Sequence, residues 1–376
     1  MSATSTINVG AIEKELTSLW KQASEDETGG VVRASILNLI AFVPDPAEIA
    51  AVDDIVIDVT ASHPCRVIAL VADRASQESK LTAEVTSRCT LPTPTSKQVC
   101  CEQVTITASQ DHLDEAPSAI VPLLIADLPV YLWWRAEPRA EDKELYGWLT
   151  DIADRVVIDS AKFNEPEGDL AKMAAVLGGG HRGPALSDMN WARLTAWRAL
   201  IAGFYDVPEY RPLLKQIERV TIEYAPPAAD PAAISTRALL LGGWLASRLG
   251  WQFNPAATVR EDGAARFEFS AYGRTGQLEF RHTERAIEPG HLALVTIANA
   301  DDCDKACAFT VRRSADGTRI ETGVTLDEAK RPKRVLSYEG LDEGALLARE
   351  LEILGNDRVY EETVKAAGAM IRNHEV

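Results

Sequence analysis

Apolar residues alternate between short continuous runs and helical spacing through the first half of the chain. The apolar run at 65–73, CRVIALVAD, is typical of a strand buried on both faces of a sheet. Ile49, Val52, Val56 and Val59 instead share one face of a helix. The predicted strands are 35–43, 65–73, 81–89, 102–109, 128–134 and 155–161, and the predicted helices are 11–23, 46–63, 112–125 and 142–150. This alternation predicts a mixed α/β sheet with helices on both faces.

The second half of the chain changes character around a turn-rich connector, PPAADPA, at 226–232. The helices predicted shortly before it are 166–177 and 189–204, which belong to the first part of the chain. The strands predicted after residue 206 are 217–225, 265–273, 277–283, 292–299, 306–314 and 318–324, and the helices predicted there are 234–251, 341–354 and 357–372. Strands that follow one another through short Gly- or Asp-rich turns predict an antiparallel meander. We therefore predict a Rossmann-like α/β domain at 1–206 and an α+β domain at 207–376 with an antiparallel sheet and C-terminal helices.

Charge and composition narrow the class of protein. The chain of 376 residues has a net charge of −17, which argues against nucleic acid or an anionic membrane as the main partner. The N-terminus, MSATSTINVG, shows no secretory signal, and no apolar run approaches the roughly 18 residues that span a bilayer. Six cysteines are too few for a disulfide scaffold in a chain of this length. We expect a cytoplasmic location.

Motifs for cofactor or metal chemistry are weak. The segment GGGHRG at 178–183 fits G-x-G-x-x-G, but a helical segment precedes it and Pro184 follows it, so the dinucleotide fingerprint lacks its context. The histidines have no metal-ligand spacing. We predict no catalytic residue, no cofactor and no metal, although residues that only folding brings together escape a search of this kind.

The segment HPCRVI, at 63–68, places Cys65 at the N-terminal edge of the predicted sheet. Ligands in open α/β sheets usually bind at the carboxyl ends of the strands, so a nucleophilic Cys65 with His63 as its base is disfavoured. A structural corner and a contact with a partner remain as interpretations.

The segment DLPVYLWWR, at 127–135, ends at the opposite edge of the sheet. Trp133 and Trp134 are adjacent, so on a strand they point to opposite faces, and at most one should easily enter a core. Trp and Arg are enriched among interface hot spots, which favours a partner surface that includes Arg135. A sugar or nucleotide pocket, or simple packing of both rings, remains open.

The segment MNWARLTAWRALIAGFYD, at 189–206, predicts an amphipathic helix whose apolar stripe runs from Trp191 to Phe204. Arg193 and Arg198 are each one position away from that stripe, where they could face a ligand or partner. Burial of the stripe is the simpler interpretation.

Cys303 and Cys307 form a candidate redox pair in DDCDKAC. On one strand their Cα atoms would be about 13 Å apart, too far for a disulfide, whereas a helical turn would bring them to about 6 Å. Nearby aspartates oppose thiolate formation.

Three segments together, HPCRVI, DLPVYLWWR and MNWARLTAWR, resemble the OpcA family of glucose-6-phosphate dehydrogenase assembly proteins in order and spacing. The later segment ALLLGGWLASRLGW is similar to the second half of that family, so the resemblance covers most of the chain. The Trp-rich form resembles the cyanobacterial branch.

The resemblance implies a non-catalytic allosteric activator that binds glucose-6-phosphate dehydrogenase and favours its active oligomer in the oxidative pentose phosphate pathway. It also implies redox regulation, with thioredoxin as a second partner. On this view Trp133, Trp134, Arg135, Arg193 and Arg198 are candidates for the contact surface. The alternatives are a sugar-phosphate enzyme, such as a lactonase-like hydrolase, and a sugar-phosphate sensor of the same pathway.

Overall fold

The computed structural model divides into two compact units, each built from separate stretches of the chain. The first unit comprises Met1–Asp159, Arg182–Met189 and Leu341–Asn356, and the second comprises Ser160–His181, Asn190–Gly340 and Asp357–Val376. The structure describes residues 8–26, 31–33, 35–90, 98–136, 142–179, 183–261, 263–299, 307–326, 329–330, 334–338, 340–353 and 355–372. The units interleave along the chain, whereas the predicted domains are continuous, and the boundary after residue 206 stays a prediction.

The elements are numbered in chain order. The helices are α1 (Val9–Asp26), α2 (Ile49–Ser62), α3 (Ala116–Ile120), α4 (Lys143–Ile152), α5 (Pro166–Gly178), α6 (Met189–Arg193), α7 (Thr195–Phe204), α8 (Thr236–Leu249), α9 (Glu343–Leu351) and α10 (Arg358–Arg372). The strands of the first sheet are β1 (Val31–Arg33), β2 (Leu37–Val43), β3 (Cys65–Asp73), β4 (Leu81–Thr90), β5 (Gln98–Ser109), β6 (Val130–Trp134), β7 (Arg155–Ile158) and β8 (Ala185–Asp188). The strands of the second sheet are β9 (Ile217–Tyr224), β10 (Gln252–Phe253), β11 (Val259–Glu261), β12 (Ala264–Ala271), β13 (Arg274–His282), β14 (Leu292–Asn299), β15 (Cys307–Arg313), β16 (Arg319–Leu326), β17 (Ala329–Lys330) and β18 (Val335–Ser337).

The first sheet lies within the first unit and has the strand order β1-β5-β3-β2-β6-β7-β8. These neighbours pair in parallel, and β4 adds to β5 in the antiparallel direction. Every residue of β2 is buried, as expected for a strand covered on both faces. The predicted mixed α/β class is confirmed; the short strands β1 and β8 were not predicted, because runs of three or four residues carry too little pattern.

The second sheet lies within the second unit and has the strand order β10-β12-β13-β9-β14-β15-β16-β17. The predicted uninterrupted meander needs a correction. Strand β9 is inserted between β13 and β14, pairing with β13 in parallel and with β14 in the antiparallel direction. Consecutive antiparallel pairing therefore holds on either side of β9, in the β12–β13 hairpin and from β14 to β17. The insertion was not predicted because strand order depends on contacts distant in sequence.

Helix α8 begins and ends with conventional caps. The side chain of Ser235 accepts a hydrogen bond from the backbone N–H of Ala238, and Gly250 closes the helix with a left-handed φ of 66°. A single helix was predicted over 189–204, but α6 and α7 divide this segment at Leu194.

Two successive glycines let α8 lie close to elements on two sides. A Cβ atom added to Gly242 would lie 2.7 Å from the ring of Phe280, on β13. A Cβ atom added to Gly243 would lie 2.5 Å from the backbone oxygen of Thr363, on α10. Both distances are shorter than van der Waals contact, so each glycine is required for the close approach of its neighbour.

We expect Gly243→Ala to lower the free energy of unfolding by about 1–3 kcal/mol, because the added methyl group would force α10 away from α8. The matched control is Gly203→Ala in α7 of the same unit, where an added Cβ meets nothing within 4 Å. The control should change stability by at most about 1 kcal/mol, in the stabilising direction. Urea unfolding measures both, and equal stabilities of the two variants would contradict the packing constraint.

Candidate partner-binding site

Both tryptophans at the end of β6 are buried, with 1% of Trp133 and 4% of Trp134 exposed. The ring of Trp134 stacks on Phe42 of β2 at 4.1 Å between centroids and meets Tyr146 of α4 edge-on at 4.9 Å. The expectation that only one of the two rings enters a core is therefore wrong. Strand β6 lies between β2 and β7, and each face of the sheet is covered at this point, so opposite directions both lead into packed interior.

Arg135 follows Trp134 at the carboxyl edge of the first sheet, and only 5% of its side chain is exposed. Its Nη1 donates to Glu48 at 2.7 Å, and its Nη2 lies 3.5 Å from Glu343 at the start of α9. Its guanidinium carbon lies 5.0 Å from the ring centroid of Trp133. Arg135 thus connects the loop before α2, the end of β6 and the start of α9 within one unit.

The two carboxylate partners of Arg135 keep contact with solvent. The side chain of Glu48 is 42% exposed and that of Glu343 is 25% exposed. The Nε atom of Arg135 is buried and has no hydrogen-bond acceptor among the described residues. The accessible part of this edge is therefore formed by the carboxylates more than by the guanidinium or the indoles.

Trp191 and Arg198 form a second aromatic–guanidinium contact, in the second unit. The guanidinium carbon of Arg198 lies 3.4 Å from the ring centroid of Trp191, within the range of a cation–π interaction. The indole N–H of Trp191 donates to Asp357 at 2.9 Å. Trp191 is buried and Arg198 is half-buried, so the arginine lies over the ring at the outer side.

Burial of the predicted apolar stripe is confirmed, since each member is at most 9% exposed; the members are Trp191, Leu194, Trp197, Leu200, Ile201 and Phe204. The structure places Trp133, Trp134 and Arg135 in the first unit and Arg193 and Arg198 in the second. Their assignment to a partner surface stays a prediction.

Arg193 contributes to a cationic cluster around His291. Burial, together with the charges of Arg237, Arg313 and Arg193, lowers the pKa of His291 to about 3. Glu288 lies 3.1 Å from Nε2 of His291 and would favour a proton there, but its side chain is 73% exposed and its attraction is outweighed. His291 is therefore neutral at physiological pH, in a positive environment that no local sequence pattern predicts.

A buried ion pair in β3 and β5 was also not predicted from the sequence. Arg66 donates from Nε to Glu102 at 2.7 Å and from Nη1 to the backbone oxygen of Leu123 at 2.7 Å. The side chains of Arg66 and Glu102 are 5% and 1% exposed. Cys65 is fully buried beside them, and burial raises the pKa of its thiol, which agrees with a structural corner. The sequence signal that could have indicated this ion pair is Arg66, the single arginine within the apolar run at 65–73.

A cavity of about 200 Å³ opens in the second unit beside β9 and β11. Its polar lining includes Tyr224, Arg260 and His282. Arg260 pairs with Glu167, and burial raises the pKa of Tyr224. The guanidinium is therefore already engaged by a carboxylate of the same unit.

Only one member of the candidate redox pair lies within the described residues. Cys303 lies outside the described residues, and Cys307 begins β15 with 4% of its surface exposed. The loop at 178–183 also falls partly outside them. Across the described ranges, no group of three or more His, Cys, Asp and Glu side chains could bind a metal ion, and no helix has the length and apolar character needed to cross a membrane.

These observations define a two-unit α/β protein with one largely parallel sheet, one mixed sheet, and arginines held against its own tryptophans. Residues 56–175 match the family described as glucose-6-phosphate dehydrogenase subunit N-terminal domain, and residues 184–364 match the corresponding C-terminal domain. The chain belongs to the OpcA family of glucose-6-phosphate dehydrogenase assembly proteins, which confirms the resemblance noted in its motifs.

Two cyanobacterial relatives named as OxPP cycle protein OpcA are similar over most of the chain. The protein of Nostoc punctiforme is 32% identical over 323 residues, which cover 82% of this chain and 65% of the relative. The protein of Synechocystis sp. is 27% identical over 324 residues, covering 84% of this chain and 65% of the relative. The chain therefore spans slightly less than two thirds of the length of these curated relatives.

Solved structures with a similar arrangement are distant. An NAD binding oxidoreductase from Klebsiella pneumoniae has a TM-score of 0.46 at 11% identity, covering 91% of this chain and 96% of that chain. The WlbA dehydrogenase from Thermus thermophilus has a TM-score of 0.40 at 10% identity, covering 89% and 94%. Similarity at this level does not bear on activity.

We expect Arg135→Met to lower the free energy of unfolding by about 1–3 kcal/mol, because two carboxylates and a buried ring lose their cationic partner. Arg358→Met, at an exposed position, should change it by less than about 0.5 kcal/mol. Urea unfolding of both variants measures the difference. If the two variants are equally stable, Arg135 does not connect these elements energetically.

The low pKa of His291 predicts a loss of stability in acid. Because its folded pKa of about 3 lies below the ordinary 6.5, the unfolded chain binds a proton that the folded chain excludes. Proton binding by His291 in the unfolded chain has no effect on the unfolding free energy above about pH 6.5. It lowers that free energy progressively as the pH falls towards 3. His291→Asn should therefore show a shallower fall in unfolding free energy between about pH 7 and pH 5. Identical slopes for both proteins would contradict the assignment.

Proposed function

We propose that this chain is a non-catalytic assembly factor and allosteric activator that binds glucose-6-phosphate dehydrogenase and favours its active oligomer in the oxidative pentose phosphate pathway. The observation that carries the proposal is the match of both halves, 56–175 and 184–364, to domains described as glucose-6-phosphate dehydrogenase subunits. The names of the cyanobacterial relatives, which refer to the OxPP cycle, support the same pathway.

An activator must bind the active state of its target more tightly than the inactive state. A tenfold preference corresponds to about 1.4 kcal/mol, which one or two well-placed side chains can supply. A rigid surface is suited to this task because little conformational entropy is lost when the complex forms.

In this proposal, the carboxyl edge around Arg135 is the rigid surface that the partner contacts. Arg135 is fixed by Glu48, Glu343 and the ring of Trp133, and Trp134 is fixed by stacking on Phe42. In this proposal the two tryptophans support the edge from within, and the partner contacts its outer side. Arg193 and Arg198, which lie in the second unit, are proposed as a separate contact with the partner.

Redox control through Cys303 and Cys307, with thioredoxin as the reductant, forms a secondary part of the proposal. Cys307 is buried at the start of β15, so exchange at its thiol requires that end of the strand to open. Cys303→Ser should then make binding to the dehydrogenase insensitive to oxidation. Equal binding by the oxidised and reduced forms of the parent protein would contradict redox control through this pair.

The alternative function is a sugar-phosphate hydrolase or sensor, and the cavity beside Tyr224, Arg260 and His282 is the observation that favours it. The pairing of Arg260 with Glu167 weakens that case, because an incoming phosphate would have to displace a carboxylate. Conversion of 6-phosphogluconolactone by the isolated chain, lost in a His282→Asn variant, would support the alternative instead.

The test of the proposed surface compares activation of glucose-6-phosphate dehydrogenase by the parent chain, Arg135→Ala and Arg198→Glu. We expect each folded variant to raise the concentration for half-maximal activation by about tenfold or more, because Arg135→Ala releases Glu48 and Glu343 at the outer side of the edge and Arg198→Glu reverses a charge. Circular dichroism checks folding, and Arg358→Glu is the control for an exposed arginine elsewhere.

Activation by both folded variants at the parent's concentration would remove this surface, while leaving the assembly role intact. Failure of the parent chain to bind the dehydrogenase or change its oligomeric state would overturn the function itself.

A further inference from the structure

The second sheet has one apolar face and one open face. Along β9, Val220, Ile222 and Tyr224 are buried, whereas Thr221 and Glu223 are half-exposed. The same alternation runs through β12, β14 and β15. Because successive residues of a strand point to opposite faces, the residues that alternate with the buried apolar positions form one continuous surface. Glu279 within this surface is only 4% exposed, because Arg266 and Arg281 pair with it.

The strand register arranges that surface in three rows, each of which runs from β12 through β13, β9, β14 and β15 to β16. The first row is Ala264, Arg281, Glu223, Leu294, Arg312 and Glu321. The second row is Arg266, Glu279, Thr221, Thr296, Thr310 and Gly323. The third row is Glu268, Gln277, Arg219, Ala298, Ala308 and Thr325.

The centre of this open face is made of small side chains. Three threonines are adjacent across β9, β14 and β15, and Ala298 and Ala308 are adjacent beside them. A Cβ atom added to Gly323 would lie 2.6 Å from Oγ1 of Thr310, so the row stays flat up to β16. A flat face of small residues permits another sheet to approach at the usual distance of about 10 Å.

When the first row is placed against a copy of itself that runs in the opposite direction, each charge meets a charge of the opposite sign. From β13 to β16 the row has arginine, glutamate, leucine, arginine and glutamate, namely Arg281, Glu223, Leu294, Arg312 and Glu321. A twofold rotation about the direction of β14 reverses this order. Arg281 then faces glutamate, Glu223 faces arginine, and Leu294 faces leucine.

The central small residues of the other two rows fit the same rotation, whereas Arg219 comes opposite Ala308 and Glu279 comes opposite Gly323. Thr221 comes opposite Thr310, and Thr296 and Ala298 come opposite their own copies on the axis. The three rows contain four arginines and four glutamates, so the face is formally neutral; these are Arg219, Arg266, Arg281 and Arg312, and Glu223, Glu268, Glu279 and Glu321. In a chain with a net charge of −17, a neutral face is where two copies repel each other least.

We propose that the open face of the second sheet pairs with the same face of a second copy of this chain, about a twofold axis that follows β14 through Leu294, Thr296 and Ala298. Such an interface is isologous, so each charge pair occurs twice. The reversed order of signs is required for pairing with a second copy, whereas an unrelated partner does not require it. This inference does not depend on binding to the dehydrogenase.

A charge-swap experiment tests the proposed pairing of Glu223 with Arg312 of the second copy. Sedimentation velocity, over low to high micromolar concentrations of the full chain, gives the dimer dissociation constant. We expect Glu223→Arg and Arg312→Glu each to weaken the dimer by roughly tenfold or more, because each places like charges across the axis twice. The double variant should recover most of the parent affinity.

The double variant separates dimerisation from folding. Within one chain, Glu223 is adjacent to Arg281, and Arg312 is adjacent to Glu321, so the swap places like charges side by side in the folded monomer. Recovery of the dimer therefore cannot come from a more stable monomer. Arg358→Glu, off this face, should leave the dissociation constant unchanged.

A parent chain that stays monomeric at every concentration would overturn the proposal. A dimer that neither single variant weakens, or that the double variant fails to restore, would also overturn it, because the contact would then lie on another surface.

Discussion

The close approach of α8 to its neighbours is the constraint on which the second unit depends. Gly242 leaves space for Phe280 of β13, and Gly243 leaves space for the backbone of α10. One turn of helix therefore contacts both the apolar face of the sheet and another helix. Since that apolar face is covered in this way, the opposite face of the same strands is left with threonines, alanines and alternating charges.

The arginines of this protein show how tertiary context changes the meaning of a residue type. Arg135 and Arg198 lie over tryptophans of their own units, and Arg66 is buried against Glu102. A guanidinium in such a place orients the elements around it before any partner arrives, because its planar donors fix several groups at once. In general, a preformed edge of this kind loses less conformational entropy on binding than flexible side chains would.

The sequence predicted most elements of the fold, because long periodic or apolar segments report their own local structure. It was least successful with Trp133 and Trp134, where alternation on a strand predicted that one ring would stay outside a core. Alternation fixes only the direction of a side chain, and whether that direction leads to solvent depends on which strands and helices cover it. The insertion of β9 between β13 and β14 escaped prediction for a related reason, since strand order carries no local signal.

By itself, the sequence determined the α/β class, the family motifs and the apolar stripe of α6 and α7, since each is encoded by residues close together in the chain. The tertiary structure alone decided the burial of both tryptophans, the partners of Arg135 and Arg66, and the rows across the second sheet. Those features join residues up to hundreds of positions apart, and their physical cause is the pairing and covering of strands, which no local pattern specifies.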